Sequence, residues 1–336
     1  MFLLEFLSTI YPKFINLKKN LRLFNILFLY LKILKILNLT GTLLIGKNAF
    51  ICALYYFLLM RIMIIGASGQ LGLELSRKLS NYELIKTFAL HELSEGLRLD
   101  LTDYLSLEDF IIKKKPEIII NAAALTDVDR CEVERDKAFK INAEAVRHIV
   151  RASRVIEAYL IQISTDYVFD GNKGLYKEED DLPNPINYYG LTKLLGENYA
   201  SSYDDTLIVR TSGVFRNKGF PVYVYKNLKE GKEVLAFKGF YSPPISATKL
   251  AEAINELVTY KKTGIINIAG ERISRYDLAQ KIKELYNLSG KVIEVDRIEG
   301  WIAKRPFDSS LDISKAKKLV SIDFYSTDEN LKHMVI

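Results

Sequence analysis

The sequence predicts an α/β protein built on a doubly wound parallel sheet, and three observations support this prediction. From residue 61 onward, short apolar runs alternate with longer segments of helical periodicity, as in consecutive strand–helix units. The run Ile118-Ile119-Ile120 lacks polar alternation, which is typical of a parallel strand covered on both faces. A glycine-rich turn over 66–72 directly follows the first apolar run, where strand and helix meet in such folds.

The individual elements follow in chain order. We predict strands over 61–65, 84–89, 97–100, 117–121, 159–164 and 206–210. We predict helices over 69–79, 105–114, 133–156 and 189–203, with further helices near 222–230, 247–260 and 274–286. Past Arg210, loops rich in Gly and Pro alternate with helices. This change predicts a small mixed lobe over the carboxyl ends of the strands, where open α/β sheets bind ligands.

The first sixty residues differ in composition from the rest. They hold seven basic side chains and one acidic side chain, which accounts for the net charge of +6 of the whole chain. The remainder is therefore neutral, which argues against nucleic-acid binding by the folded body. Three interpretations of residues 1–60 stay open: a mis-assigned start, a basic segment on a membrane surface, or a transmembrane helix. The longest uncharged apolar run of these sixty residues is about 12 residues, short of the ~20 of a spanning helix. For the folded body we expect no membrane association.

Cysteines and histidines are few. Cys52 and Cys131 form no disulfide framework, which fits a reducing cytoplasm. The three histidines have no clustered spacing, so we predict no histidine-rich metal site.

The glycine-rich turn predicts a dinucleotide site. Gly66 permits a tight turn, Gly69 lets the backbone approach a pyrophosphate, and Gly72 lets the helix pack closely on the sheet. Free N–H groups at the start of the helix would face the anion. We predict cofactor contacts from six residues of this turn: Gly66, Ser68, Gly69, Gln70, Leu71 and Gly72.

Later strand ends add further cofactor contacts. Asp100 closes the third strand and Leu101 follows it; Asp100 either binds the adenine amino group or caps the next turn. The small residues Ala122, Ala123 and Ala124 let the backbone pass close to a flat ribose or nicotinamide. Arg98 either serves a 2′-phosphate or is solvated, so the choice between NADPH and NADH stays open. The buried amide of Asn142 is either structural or part of a proton path.

A hydroxyl–tyrosine–lysine unit predicts the chemistry. The chain contains three Tyr-x-x-x-Lys pairs, beginning at Tyr82, Tyr189 and Tyr225. Only Tyr189 and Lys193 combine a helix start with an upstream strand that ends in a hydroxyl, at Thr165. At this spacing we expect the ammonium to lie beside the phenol and to lower its pKa from about 10 toward neutrality. Tyr189 would then act as general acid and Thr165 would orient the same substrate oxygen, as in nicotinamide-dependent chemistry at a carbonyl or alcohol carbon.

These residues resemble the extended short-chain dehydrogenase/reductase superfamily, and within it the dTDP-4-dehydrorhamnose reductase family. The resemblance covers essentially all of residues 61–320. It rests on five stretches: Gly66 to Gly72, Asn121 to Asp129, Ile163 to Gly171, Pro185 to Glu197, and most specifically Arg305-Pro-Phe-Asp-Ser-Ser-Leu-Asp-Ile-Ser-Lys315.

The resemblance implies a Rossmann-type NAD(P)-binding domain over 61–212 and a mainly substrate-binding lobe over 213–336. It implies NADPH or NADH as the hydride donor and reduction of the C4 ketone of dTDP-4-dehydro-6-deoxy-L-mannose to dTDP-L-rhamnose. By the same resemblance Tyr189 donates the proton, Lys193 activates it and binds the cofactor ribose, and Thr165 and Asp166 contact the sugar. Magnesium accompanies some members of the family, but no carboxylates here can be matched to it. A homodimer stays open as the assembly.

Three departures from the family pattern keep alternatives open. Gly213 stands where the family usually has an aromatic residue, Phe220-Pro221 replaces the usual Asn-Phe, and the loop 239–245 lacks the usual polar groups. A non-catalytic NADP-binding regulatory subunit of methionine adenosyltransferase is one alternative, because relatives of this kind resemble the family. Another nucleotide-sugar reductase or epimerase is the other.

Overall fold

The computed structural model describes residues 60–296 and 300–336 of the protein. The chain divides into two units, residues 1–59 and residues 60–336. The fold that follows is that of the second unit. The three interpretations of the leader therefore concern residues that lie outside the described part. Among the described helices, none is both long enough and apolar enough to cross a bilayer.

A seven-stranded sheet forms the centre of this unit, and every strand pair in it is parallel. The strand order is β10-β6-β5-β4-β1-β2-β3, which reverses direction at β1. This order is that of a doubly wound Rossmann-type sheet, so the predicted fold class is confirmed. Its strands are β1 (Arg61–Ile65), β2 (Glu83–Phe88), β3 (Leu97–Arg98), β4 (Ile118–Asn121), β5 (Tyr159–Thr165), β6 (Thr206–Thr211) and β10 (Gly264–Asn267).

Eleven α-helices in the described residues connect and cover the strands, and most lie close to their predicted bounds. They are α1 (Gln70–Lys78), α2 (Tyr104–Lys114), α3 (Val128–Val133), α4 (Arg135–Phe139), α5 (Ala145–Ile156), α6 (Tyr188–Ser201), α7 (Phe220–Lys229), α8 (Ala247–Tyr260), α9 (Arg275–Leu285), α10 (Ser314–Leu319) and α11 (Thr327–Leu331).

The helix predicted over 133–156 is interrupted. It consists of α4, a π-helical turn over Lys140–Glu144, and α5. The π turn faces α6, where a Cβ atom on Gly196 would lie 2.4 Å from the carbonyl oxygen of Asn142. Close helix contact thus coincides with the extra residue in the turn, and π turns of this kind are frequent at functional sites.

Five strands of the described residues lie beyond residue 212, in smaller sheets or at the sheet edge, and none of them was predicted from the sequence. The edge strand β10 pairs with β6. Two short parallel pairs lie outside the main sheet: β7 (Val214–Phe215) with β9 (Ile245–Ser246), and β8 (Glu233–Phe237) with β11 (Lys291–Val295). Short runs such as Gly264-Ile-Ile-Asn267 gain their strand pairing from distant residues. The division at 212/213 stays a prediction, although β10 shows that the later segment also contributes to the central sheet.

Two apolar clusters stabilise the unit. One lies between the sheet and helices α2 and α5 and includes Met63, Ile119, Leu160 and Ile149, all fully buried or nearly so. The other lies under the C-terminal elements and includes Phe215, Leu228, Ile282 and Leu331. Burial of such side chains stabilises a fold by about 1.5–3 kcal/mol each, so both clusters hold their elements firmly.

A buried ion pair joins α6 to β6. Arg210 contacts Glu197 through Nε and Nη2, at 3.0 Å to Oε1 and 2.8 Å to Oε2, and both side chains are 3% exposed. The guanidinium group also lies over the ring of Phe169 at 5.1 Å. Removal of one partner from such a pair leaves an uncompensated buried charge, which is more damaging than loss of the attraction alone.

We expect Glu197→Gln to lower the free energy of unfolding by about 3 kcal/mol, because Arg210 would remain buried without a counter-charge. Urea denaturation of the two proteins measures the difference. The matched control is Glu230→Gln, which removes the same charge from an exposed pair with Lys232 and should change stability little. Equal losses in both variants would contradict the assigned role of the buried pair.

Candidate active site

The carboxyl ends of β1, β4, β5 and β6 open onto one cavity of about 460 Å³. This is the edge at which doubly wound sheets bind ligands. Its walls include ten of the residues predicted from the sequence: Gly69, Gln70, Leu71, Ala122, Ala123, Ala124, Thr165, Asp166, Tyr189 and Lys193.

The β1–α1 turn has the geometry that a dinucleotide needs. Gly66 has φ +83°, and a Cβ atom there would lie 2.9 Å from Ala123, while one on Gly72 would lie 2.2 Å from the Gly66 carbonyl oxygen. Helix α1 begins at Gln70; Gly69 at the N-cap position supplies no side-chain cap, and the first turn holds no acidic residue. Its first N–H groups are therefore left to bind an anion, so this turn fits the phosphates of a dinucleotide.

Gln70 links this turn to a distant segment. Its side-chain oxygen accepts hydrogen bonds from the backbone N–H groups of Arg216, at 2.9 Å, and Lys218, at 3.2 Å. Lys218 also lines the cavity. The side chain of Gln70 thus fixes the loop after β7 against the turn.

Five predicted cofactor residues lie outside the cavity lining: Gly66, Ser68, Gly72, Asp100 and Leu101. Gly66 and Gly72 shape the turn through close backbone contacts without lining the cavity. The carboxylate of Asp100 accepts hydrogen bonds from the backbone and hydroxyl of Thr102, at 2.9 and 2.8 Å, so it caps the local turn. Leu101 packs in the apolar core. Contacts of Asp100 and Leu101 with adenine stay a prediction.

The hydroxyl–tyrosine–lysine unit is assembled in the cavity wall. Thr165 is the last residue of β5, and Tyr189 lies in the first turn of α6, which Asn187 caps by accepting the N–H of Gly190 at 2.8 Å. The Tyr189 phenol is hydrogen-bonded to Thr165. The Nζ atom of Lys193 donates to the carbonyl oxygen of Ile163 at 2.6 Å.

The predicted effect of Lys193 on the phenol is wrong in this structure. Burial raises the pKa of Tyr189, and the hydrogen bond with Thr165 offsets only part of that rise. Burial also lowers the pKa of Lys193 to about 8, against the nearby carboxylate of Glu197. Desolvation is the largest influence on the pKa of both groups, and the Lys193 ammonium directs its hydrogen bond to β5.

Asp166 connects the unit to the C-terminal segment. Its carboxylate accepts hydrogen bonds from Thr165 Oγ1 at 3.0 Å and from Ser309 Oγ at 2.5 Å. Burial raises the pKa of Asp166 to about 7, although both hydrogen bonds lower it. The carboxyl group therefore titrates near neutral pH.

A second carboxylate fixes the same C-terminal segment. Asp129 accepts the N–H groups of Ile302 and Ala303, at 3.1 and 2.8 Å, and pairs with Arg305 at 3.0 Å. The motifs that end in Asp129 and begin at Arg305 are remote in sequence but meet here. This contact explains why both belong to one site.

Two of the departures from the family pattern, Gly213 and the loop 239–245, are in contact. Gly213 has φ +43°, and a Cβ atom there would lie 2.9 Å from the carbonyl oxygen of Pro243. Ser212 donates its hydroxyl to the same oxygen at 2.7 Å. The backbone of the loop 239–245 therefore leaves no room for a side chain at residue 213.

Twelve further lining residues were not among the site residues predicted from the sequence, although Gly213 and the loop that holds Ser242 were named there as departures: Thr126, Val128, Ile163, Ser164, Tyr167, Thr211, Ser212, Gly213, Val214, Lys218, Ser242 and Arg275. Thr211 is the last residue of β6 and Ser212 follows it, so their place at the strand end was available as a signal. No local pattern pointed to Arg275, because it reaches the cavity from a helix of the later segment.

Asn142 makes three hydrogen bonds to protein groups. Its amide binds both backbone groups of Leu125, at 2.8 and 3.0 Å, and donates to Thr192 Oγ1 at 3.2 Å. These bonds hold the loop after β4 to α6, as the structural interpretation expects. Among the described residues, no cluster of His, Cys, Asp or Glu has the arrangement of a metal site.

We expect Asp166→Asn to gain stability relative to the unsubstituted protein as pH rises from about 4 to about 7. Over this window the folded carboxyl keeps a proton that the unfolded one loses, so only the aspartate protein is destabilised. The relative gain is about 1.4 kcal/mol for each pH unit between the two pKa values. Denaturation at several pH values measures it.

The control is Asp170→Asn. A hydrogen bond from Tyr176 and other bonds lower the pKa of Asp170, so this variant should lose relative stability as pH rises through about 4. If the stability difference between Asp166→Asn and the unsubstituted protein did not depend on pH, burial would not be raising the pKa of the Asp166 carboxyl.

Comparisons with known proteins agree with this geometry. Residues 60–336 match the family described as the RmlD substrate binding domain. The dTDP-4-dehydrorhamnose reductase of Escherichia coli K12 is 30% identical over 292 residues, covering 82% of this chain and 97% of that protein.

Solved structures extend the comparison. The crystal structure of a hypothetical dTDP-4-dehydrorhamnose reductase from Sulfolobus tokodaii is 66% identical, with a TM-score of 0.79, and covers 82% of this chain and all of that one. The dTDP-4-dehydrorhamnose reductase from Bacillus anthracis, solved with NADP, is 29% identical with a TM-score of 0.74 and covers 82% and 98%. The match over the whole described unit, together with the shared fold and identity, shows that the chain belongs to the RmlD substrate binding domain family.

Proposed function

We propose that the protein is an NAD(P)H-dependent nucleotide-sugar 4-ketoreductase, a dTDP-4-dehydrorhamnose reductase. It would reduce the C4 ketone of dTDP-4-dehydro-6-deoxy-L-mannose to dTDP-L-rhamnose. One observation carries the proposal: the phenol of Tyr189, hydrogen-bonded to Thr165, shares a cavity with a turn that fits a dinucleotide. The named relatives supply the substrate.

The cofactor would lie across the carboxyl ends of β1, β4 and β5. The N–H groups in the first turn of α1 would bind its diphosphate, the alanines at 122–124 would leave room for the nicotinamide end, and Lys193 would bind the ribose. Reduced nicotinamide supplies the hydride when it is bound. Both NADPH and NADH stay open, since Arg98 lies in the exposed strand β3.

Tyr189 would deliver the proton. Because burial raises the pKa of Tyr189, the phenol is protonated at neutral pH, which is the state that a proton donor needs. Thr165 and Asp166 would hold the substrate oxygen against that phenol. The oxygen gains the proton from Tyr189 as its carbon gains the hydride, so the ketone becomes an alcohol.

The organisation and setting of the enzyme follow from the same proposal. Residues 61–212 would bind the cofactor and 213–336 would mainly bind the sugar nucleotide. The buried, free thiol of Cys131 fits a reducing cytoplasm. A homodimer remains a prediction.

We expect Tyr189→Phe to lower kcat by about 10²–10⁴-fold, because the substrate oxygen would lose its proton donor. NADPH oxidation is followed with dTDP-4-dehydro-6-deoxy-L-mannose generated in situ. NADPH affinity, measured by fluorescence, should stay within about twofold, since the ring remains.

The matched control is Tyr225→Phe, which alters another Tyr-x-x-x-Lys pair, on α7 and remote from the cavity lining. This variant should keep full activity. Equal activity of Tyr189→Phe would overturn the assigned role. NADPH binding without oxidation in the unsubstituted protein, together with association with methionine adenosyltransferase, would favour the regulatory alternative.

A further inference from the structure

Arg275 is a cation at the cavity wall that the proposed chemistry does not use. It is the first residue of α9, and Ser274 caps that helix by accepting the N–H of Asp277 at 3.0 Å. The side chain reaches the cavity that holds Tyr189. Its position is therefore fixed by a capped helix, not by a loose loop.

Three aromatic rings surround the guanidinium group. Its central carbon lies 4.6 Å from the ring centre of Phe240, 4.8 Å from that of Phe220 and 5.9 Å from that of Trp301. Rings at these distances attract a cation through their faces. They also exclude water and restrict the rotamers of the side chain, so the guanidinium is held in place before any ligand arrives.

In the described part of the chain, the guanidinium of Arg275 has no carboxylate partner. Its Nε atom is buried and makes no hydrogen bond. The neighbouring arginines differ: Arg272 pairs with Asp308 at 2.7 Å, and Arg305 pairs with Asp129 at 3.0 Å. A guanidinium group stays ionised in proteins, and a partly buried cation that lacks an ion-pair contact is costly. A ligand that brings an anion would remove this cost.

The position of Arg275 indicates which anion would bind to it. Its electrostatic neighbours are Tyr167, Asp166 and Arg305, all on the side of the sugar-contacting residues. The cofactor phosphates have their own site at the β1–α1 turn, where Gln70 and Lys218 lie. The planar fork of an arginine matches two oxygens of a phosphate group.

We propose that Arg275 binds the diphosphate of the nucleotide-sugar substrate. The inference rests on the proposed function and deepens it, because it assigns the group that anchors the substrate at the end remote from the reacting ketone. An anchored diphosphate would set the distance from the sugar carbonyl to Tyr189. Arg275 is then a binding residue that discriminates nucleotide sugars from free sugars.

Calorimetric titration with dTDP tests the inference, with the cofactor site saturated by NADP⁺ so that dTDP cannot occupy the β1–α1 turn. We expect Arg275→Gln to weaken dTDP affinity about tenfold to hundredfold, since charge-assisted hydrogen bonds to phosphate are lost. Arg275→Lys should recover part of the affinity, because it restores the charge without the fork. Affinity for thymidine, which has no phosphate, and for NADPH should change less than about twofold in both variants.

The matched control is Lys281→Gln, which removes a positive charge from the same helix at an ion pair with Asp328. It should bind dTDP like the unsubstituted protein. NADPH binding by Arg275→Lys shows that the fold is intact if Arg275→Gln is unstable.

Two results would overturn the inference: dTDP affinity unchanged in Arg275→Gln, or a loss of NADPH affinity with dTDP affinity kept, which would assign Arg275 to the cofactor. No binding of dTDP to the unsubstituted protein would overturn it as well. Arg275-dependent binding of dTDP without any turnover of the ketosugar would instead contradict the proposed reaction and leave the diphosphate site standing.

Discussion

The active site depends on how α6 is held against β5 and β6 by buried charges. Lys193 donates to the Ile163 carbonyl of β5, and Glu197, one turn further along, pairs with Arg210 of β6. Tyr189 lies one turn before Lys193, so these two contacts fix where its phenol points. Charges buried in this way are costly unless paired, and the pairing therefore permits very few arrangements of the helix on the sheet.

Two further carboxylates bring the C-terminal segment to the same place. Asp129 binds the backbone at 302–303 and Arg305, while Asp166 binds Ser309. The site is thus assembled from strand ends that a doubly wound sheet aligns, and from a tail that hydrogen bonds attach to them. The loop 239–245 completes it by filling the space beside Gly213. The candidate site is consequently assembled from segments that share no local pattern.

Much of the fold was predictable because its signals are local. In the glycine turn at 66–72 and in the apolar strands, the residue type at each position reflects the backbone conformation and burial of that same residue. The π turn at 140–144 and strand β10 were not predictable, because contacts with α6 and with β6 produce them. The same limit applied to Arg275 and to Ser309, which reach the site only after the later segment has packed.

By itself the sequence determined the sheet class, the glycine-rich turn and the four-residue spacing of Tyr189 and Lys193 on one helix, since each depends on spacing along one strand–helix unit. Only the tertiary structure decided how those groups ionise. Burial raises the pKa of Tyr189 and lowers that of Lys193, opposite to the effect expected of a neighbouring cation in water. The physical reason is desolvation. The size of the desolvation effect depends on which distant segments cover a group, and the spacing of residues along the chain does not show which segments those are.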